Sequence, residues 1–186
     1  MISTDRLILR RWKNEDLIPF ASICAEPEVM QFMPKPLGKK ESEAMIKRIE
    51  DHFEKQGFGL FALEKKDSKK FIGYTGFMIP GFEHFFTPCV EIGWRLDKSE
   101  WNKGYATEAA KACLQYGFNI LGFDKIYSFT STINFPSIRV MEKIGMEYES
   151  NFYHPALPAG HSLSEHVLYR INNPAHQLNL SPGTIR

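Results

Sequence analysis

The sequence contains few cysteines and no long apolar run. Cys24, Cys89 and Cys113 are widely spaced, odd in number and form no C-x-x-C pair. Such a set is typical of buried, reduced thiols in a cytosolic protein and argues against a disulfide framework. No apolar segment of 18 residues occurs, and none follows a basic cluster at the amino terminus. We therefore expect a cytoplasmic protein with no secretion signal and no membrane span.

Net charge is also nearly absent. The 23 Lys and Arg residues against 22 Asp and Glu residues give a formal charge of +1, whereas nucleic-acid binding usually needs a basic patch. The dinucleotide motif G-x-G-x-x-G is missing. Gly117 and Gly122 have the spacing of a P-loop, but Phe123 and Asp124 stand where that motif requires Lys and Ser or Thr. These absences disfavour nucleic acid and the common nucleotide-binding loops.

The chain does contain a regular series of short strands and amphipathic helices. Seven apolar or alternating runs predict strands, at residues 6–12, 58–64, 71–79, 89–96, 125–132, 146–152 and 165–171. Helices are predicted over residues 17–24 and 41–56, from about residue 105 to Gly122, and after Asn134. We expect one α+β domain over residues 4–171, with a mixed sheet of six or seven strands and about four helices. Residues 172–186 are predicted to form a tail.

One stretch in this pattern has the character of an anion site. Residues 89–96 alternate, which places Glu91, Gly93 and Arg95 on one face of a strand. Gly104 then opens a helix rich in small residues, where unpaired backbone N–H groups point at one spot. The next strand follows this helix, so the two strands should be parallel. A loop with a single glycine suits a pyrophosphate but is weak evidence for one.

Four segments in a fixed order carry a resemblance to a known family. Residues 101–109 (WNKGYATEA) resemble the W-G-K-G-Y-A-T-E-A acyl-CoA signature of the GNAT superfamily of N-acetyltransferases, in the ribosomal-protein-alanine (RimJ/RimL-like) branch. Residues 4–10 are similar to the T-x-R-L-x-L-R start of that branch, and residues 90–94 to its E-I-G-Y strand. Residues 134–146 are similar to its N-x-x-S-x-x-x-x-x-K-x-G-F segment. The resemblance implies a GNAT-like, mostly antiparallel sheet with the parallel pair in its middle.

The resemblance also implies acetyl-CoA as co-substrate. The backbone N–H groups of the loop and helix start would bind its pyrophosphate; these residues are Asn102, Lys103, Gly104, Tyr105, Ala106 and Thr107. The pantetheine arm would lie along Trp94, Arg95 and Leu96, with Asn134 on its other side. A backbone N–H of Trp94 or Arg95 could stabilise the thioester oxyanion. Asn102 replaces the usual glycine of the family, and we expect it to adopt the left-handed conformation that Asn tolerates.

Two residues are candidates for the chemistry. An amine is mostly protonated near neutral pH and must lose a proton before it attacks, so a base or a water relay is needed. Glu91 is the candidate base, because the resemblance implies a carboxylate on this strand and the alternation turns Glu91 away from the aliphatic face. The alternative is a structural carboxylate that pairs with Arg95 or another cation. Ser137 would hydrogen-bond the departing thiolate, or serve only as a hydrogen bonder at a helix start. Asn134 could likewise be a plain helix cap, and capping and binding can coexist.

The sequence leaves the acceptor open. The favoured function is acetyl transfer to a primary amine, either a protein amino terminus or a small molecule, by direct attack in a ternary complex. The alternative is a catalytically silent acyl-CoA-binding module used for sensing or assembly. No short spacing of His154, His161 and His166 supports a metal site. The resemblance implies instead that residues 154–161 shape the acceptor side or a homodimer contact. Met30, Phe32 and Met33 are of types that are more often minor core than ligand contacts, but they would wall a cleft if the first two helices cover one.

Overall fold

An eight-stranded mixed sheet is the framework of the protein, of which the computed structural model describes residues 1–177. The strands are β1 (Ile2–Ser3), β2 (Leu7–Arg10), β3 (Leu60–Lys65), β4 (Phe71–Met78), β5 (Glu91–Leu96), β6 (Lys125–Ser131), β7 (Glu147–Tyr153) and β8 (Glu165–Asn172). Their order across the sheet is β1-β2-β3-β4-β5-β6-β8-β7. Only β5 and β6 run parallel among the pairs of this sheet. The predicted α+β fold with a parallel pair in the middle is therefore confirmed.

Helices flank this sheet. They are α1 (Leu17–Ala25), α2 (Pro27–Met30), α3 (Lys39–Gln56), α4 (Tyr105–Asn119) and α5 (Phe135–Lys143), and α6 (Pro174–Gln177) follows the last strand. The elements exceed the expected number because β1 and α2 are too short to show a periodicity. Residues 178–186 of the predicted tail lie outside the described part of the chain. None of the helices in residues 1–177 has the length and apolar character needed to cross a membrane.

The parallel strands β5 and β6 separate soon after they meet. Their one paired position joins Glu91 and Tyr127, where the Tyr127 N–H donates to the Val90 carbonyl at 2.9 Å. One step further the Ser128 hydroxyl, and no backbone amide, donates to the Ile92 carbonyl at 2.9 Å. On its other side β5 pairs with β4 along its full length, from Glu91 to Leu96. The sheet is thus continuous up to β5 and opens between β5 and β6.

Small residues bring α4 close to the sheet on one side of β5. Ala109, Ala110 and Cys113 are fully buried, as the sequence predicts. A Cβ on Gly117 would lie 2.8 Å from the ring of Phe77, the neighbour of Ile92 across β4 and β5. This face of β5 is therefore covered by α4. The opposite face carries Glu91, Gly93 and Arg95.

Gly73 provides a test of how tightly β4 and β5 are joined. Its φ is 135°, and a Cβ there would lie 2.1 Å from the Arg95 carbonyl oxygen. Gly73→Ala should lower the free energy of unfolding by about 3 kcal/mol or more, because backbone must move to relieve the overlap. Urea unfolding would measure this loss. Gly81→Ala is the control, since a Cβ there meets nothing within 4 Å; equal losses in both variants would contradict the described strand contact.

Candidate functional site

A cleft of about 660 Å³ lies in the gap between β5 and β6. It is bordered by the start of α4, by α5 and by residues that follow α2. All but one of the sequence-predicted site residues line it, namely Glu91, Trp94, Arg95, Leu96, Asn102, Gly104, Tyr105, Ala106, Thr107, Asn134 and Ser137. Lys103 does not. Its Nζ pairs with Glu100 at 3.0 Å.

The loop before α4 presents backbone amides to the cleft. Asn102 has a φ of 58° and Gly104 a φ of 81°, which confirms the expected left-handed conformation of Asn102. The first intrahelical bond of α4 runs from the Glu108 N–H to the Gly104 carbonyl at 3.0 Å. The amides of Tyr105, Ala106 and Thr107 therefore precede the helical ladder and have no partner within it. Such amides, together with the helix dipole, form a site for an anion.

A clamp from the amino terminus holds this loop in place. Glu108, in the first turn of α4, accepts hydrogen bonds from the Thr4 hydroxyl at 2.6 Å and from the backbone and Nε of Arg6 at 2.9 and 2.6 Å. Arg6 also donates to the Lys103 carbonyl at 2.9 Å. Burial alone would raise the pKa of Glu108, but these bonds hold it below its ordinary value. The carboxylate therefore remains charged and paired beside the anion site.

A tryptophan side chain occupies one backbone group at the end of β5. The indole Nε1 of Trp101 donates to the Leu96 carbonyl at 3.0 Å. This carbonyl therefore already has one protein partner. Trp101 closes the end of the exposed edge. The Arg95 backbone pairs with Tyr74 of β4, so a docked chain would find free backbone groups at Trp94.

Glu91 stands at the opposite end of β5, where the gap begins. Burial raises the pKa of its carboxyl to about 8. In residues 1–177 it forms no ion pair, and the alternative of a pair with Arg95 is wrong: Arg95 donates from Nη1 to the Cys24 sulfur at 3.3 Å and lies 5.5 Å from the Tyr74 ring. A carboxyl group with such a pKa can exchange a proton near neutral pH.

Asn134 and Ser137 meet across the start of α5. The Asn134 side chain accepts from the Ser137 N–H at 3.3 Å and donates to the Thr130 hydroxyl at 2.7 Å. Asn134 therefore caps α5, which is one of the two roles expected from the sequence. It also lines the cleft. The cap leaves the hydroxyl of Ser137 free for a partner in the cleft.

Several residues that line the cleft are not among those predicted from the sequence. Arg139 and Lys143 lie one turn apart on α5, and Glu28 and Tyr74 line the cleft from α2 and β4. The spacing of four residues between the two cations was the available signal, since it places them on one helix face. Tyr74 is one of several buried strand aromatics and carries no such signal.

The residues expected to be minor core or cleft wall divide between the two. Phe32 and Met33 line the cleft, whereas Met30 is buried in the core. Residues 154–161 are not among its lining residues. His154 instead packs on Phe82, with ring centroids 4.7 Å apart. The described residues contain no group of three His, Cys, Asp or Glu side chains able to hold a metal ion.

The comparisons with known proteins all point to the same family. The sequence profile of the Acetyltransferase (GNAT) domain matches residues 6–147. A Bacillus subtilis (strain 168) protein named "Uncharacterized N-acetyltransferase YnaD" is 31% identical, over 91% of this chain and 95% of its own length. A GNAT-family acetyltransferase structure from Bacillus anthracis is similar with a TM-score of 0.77 and 27% identity, covering 92% of this chain and 98% of that one. Spermidine N-acetyltransferase from Vibrio cholerae, in complex with CoA and spermine, shares the fold with a TM-score of 0.71 and 20% identity, covering 90% and 95% of the two chains.

The raised pKa of Glu91 predicts a pH dependence of stability. In the unfolded chain this carboxyl titrates near about 4.3, whereas in the folded protein its pKa is about 8. Between these values the folded state keeps a proton that the unfolded state has lost, so the stability falls as the pH rises. Glu91→Gln remains neutral and should gain about 4 kcal/mol over the wild type between pH 5 and pH 8.5. Chemical unfolding at a series of pH values measures this difference.

The control for this comparison is Glu43→Gln, a substitution on the exposed surface of α3. Its stability should follow that of the wild type at every pH. If the curve for Glu91→Gln also runs parallel to the wild type, Glu91 does not retain its proton in the folded protein.

Proposed function

The chain belongs to the GNAT acetyltransferase family, and we propose that it transfers an acetyl group from acetyl-CoA to a primary amine by direct attack in a ternary complex. The acceptor is a protein N-terminal α-amine or a small-molecule amine. The observation that carries this proposal is the continuity of one cleft, which joins the amides at the start of α4 to Glu91 through the gap between β5 and β6.

Acetyl-CoA fits the two ends of this cleft by charge and by shape. The amides of Tyr105, Ala106 and Thr107 would receive the pyrophosphate, as in other helix-terminus anion sites. Arg139 and Lys143 add positive charge on the facing helix. The pantetheine arm would lie in the gap beside Trp94 and Arg95, against Asn134.

The chemistry would take place at the inner end of the gap. The amine nitrogen attacks the thioester carbonyl carbon and the carbon–sulfur bond breaks. CoA leaves as a thiolate, which takes the second proton that the nitrogen loses and becomes the thiol. Glu91 would accept the proton of the amine, directly or through a water molecule, since its pKa of about 8 suits this exchange. The backbone N–H of Trp94 would stabilise the charge on the carbonyl oxygen, whereas the backbone of Arg95, the other candidate, pairs with Tyr74 of β4. Ser137 would hydrogen-bond the sulfur as it departs.

The finer assignments rest on the sequence resemblance. The order of the four matching segments supports the ribosomal-protein-alanine (RimJ/RimL-like) branch, and it leaves both kinds of amine acceptor open. A cytoplasmic location agrees with three free cysteines. A homodimer contact through residues 154–161 stays a prediction.

Gly104→Asp tests the placement of the pyrophosphate. A carboxylate beside the amides would repel the anion, so the Kd for CoA should rise at least about tenfold, a loss of about 1.4 kcal/mol. Isothermal titration calorimetry measures this change. Gly160→Asp is a matched control, because Gly160 also has a positive φ, 80°, and a Cβ there meets nothing within 4 Å. Unchanged affinity in Gly104→Asp would refute the placement.

Glu91→Gln tests the assignment of the base. With an amine acceptor, kcat/KM should fall by about 10²-fold, the usual scale of general base catalysis. The rise of the wild-type rate with pH should lose its inflection near pH 8, where the carboxyl deprotonates. Thiol release from acetyl-CoA across a panel of amines and peptides provides both measurements. CoA binding without turnover on any acceptor would favour the catalytically silent module.

A further inference from the structure

Arg95 is a partly buried cation on the wall of the cleft without an anionic partner. Its Nη1 donates to the Cys24 sulfur at 3.3 Å, and its guanidinium lies 5.5 Å from the Tyr74 ring. Within the described residues 1–177, no carboxylate takes part in its interactions. A guanidinium has five N–H donors in a planar fork, so most of its hydrogen-bonding capacity is unused.

The neighbours of Arg95 do not compensate its charge. Burial raises the pKa of the Cys24 thiol and of the Tyr74 hydroxyl, so both are neutral near pH 7. Glu28, across the cleft, is paired with Lys98 at 2.6 Å. A desolvated charge without a counter-ion is costly, and a ligand anion would relieve that cost.

Arg95 lies on the other side of the sheet from the proposed phosphate site. The side chain contacts α1 through Cys24 and β4 through Tyr74, whereas α4 covers the face of β5 that carries Ile92. The anion at Arg95 would therefore belong to a second molecule. Gly93 and Glu91 lie on the same face of β5 as Arg95. Because Gly93 has no side chain, it leaves space between the side chains of Glu91 and Arg95.

We propose that the Arg95 side chain binds a carboxylate of the acceptor, and that the acceptor is an amine with a carboxylate several bonds away. This inference rests on the proposed acetyl transfer, which places the amine near Glu91. Four residues of extended strand separate the Cα atoms of Glu91 and Arg95 by about 13 Å. A carboxylate is favoured as the anion because its two oxygen atoms match the guanidinium fork. The backbone of Arg95 pairs with Tyr74 of β4, so the side chain is the part of Arg95 that the acceptor would contact.

A series of ω-amino carboxylates with three to six carbons, each compared with its neutral amide, tests the inference. In 6-aminohexanoate and 6-aminohexanamide the amines are nearly equivalent, so the comparison isolates the carboxylate. For at least one chain length the wild type should show a kcat/KM at least tenfold higher for the carboxylate. Arg95→Gln should abolish this preference, so that the ratio of kcat/KM for the carboxylate to kcat/KM for the neutral amide falls to about one.

Two further variants separate recognition from folding. Arg95→Lys keeps the charge without the fork and should retain part of the preference. Arg48→Gln, on the exposed surface of α3, should retain all of it. The CoA affinity of each variant, measured by calorimetry, establishes that the cleft is intact.

A binding measurement distinguishes failure of the inference from failure of the proposed function. In the presence of CoA, the wild type should bind 6-acetamidohexanoate or a shorter homologue at least tenfold more tightly than its neutral amide, and Arg95→Gln should bind both equally. This selectivity without acetyl transfer to any amine would support the inference and refute the proposed activity. Acetyl transfer with no preference for a carboxylate at any chain length would refute the inference and leave the activity standing.

Discussion

The separation of β5 from β6 is the constraint on which the candidate site depends. A parallel pair in a continuous sheet would satisfy its backbone groups along its whole length. Here the pairing is confined to Glu91 and Tyr127, and the Ser128 hydroxyl satisfies the next carbonyl. Because β4 holds β5 along its full length, β5 stays in the sheet and its other edge remains free. The cleft exists because this edge has no neighbouring strand.

The amino terminus contributes to the other half of the site. Thr4 and Arg6 bind Glu108, and Arg6 also binds the carbonyl of Lys103. The loop of residues 102–107 is thus fixed by contacts with the first residues of the chain. This contact gives a physical reason for the T-x-R-L-x-L-R pattern and the start of α4 to occur together. The pattern supplies the donors, Thr4 and Arg6, and the helix start supplies the acceptor, the Glu108 carboxylate.

Local features of the site can be predicted from the sequence, and contacts between distant residues cannot. The alternation of β5, the left-handed Asn102 and the cap at Asn134 follow from patterns of a few residues. The contact of Arg95 with Cys24 joins residues 71 positions apart, and no local pattern encodes it. The sequence therefore offered Arg95 as a partner for Glu91, whereas the fold turns it toward α1.

The central claim is that one cleft binds CoA along both the start of α4 and the free edge of β5. Amide chemical shifts of the ¹⁵N-labelled protein during titration with CoA test this claim most directly. The largest changes are expected at Gly104, Tyr105 and Ala106, with a second group at Trp94 and Arg95. Changes centred instead on residues 154–161, with the α4 start and β5 unaffected, would contradict the account.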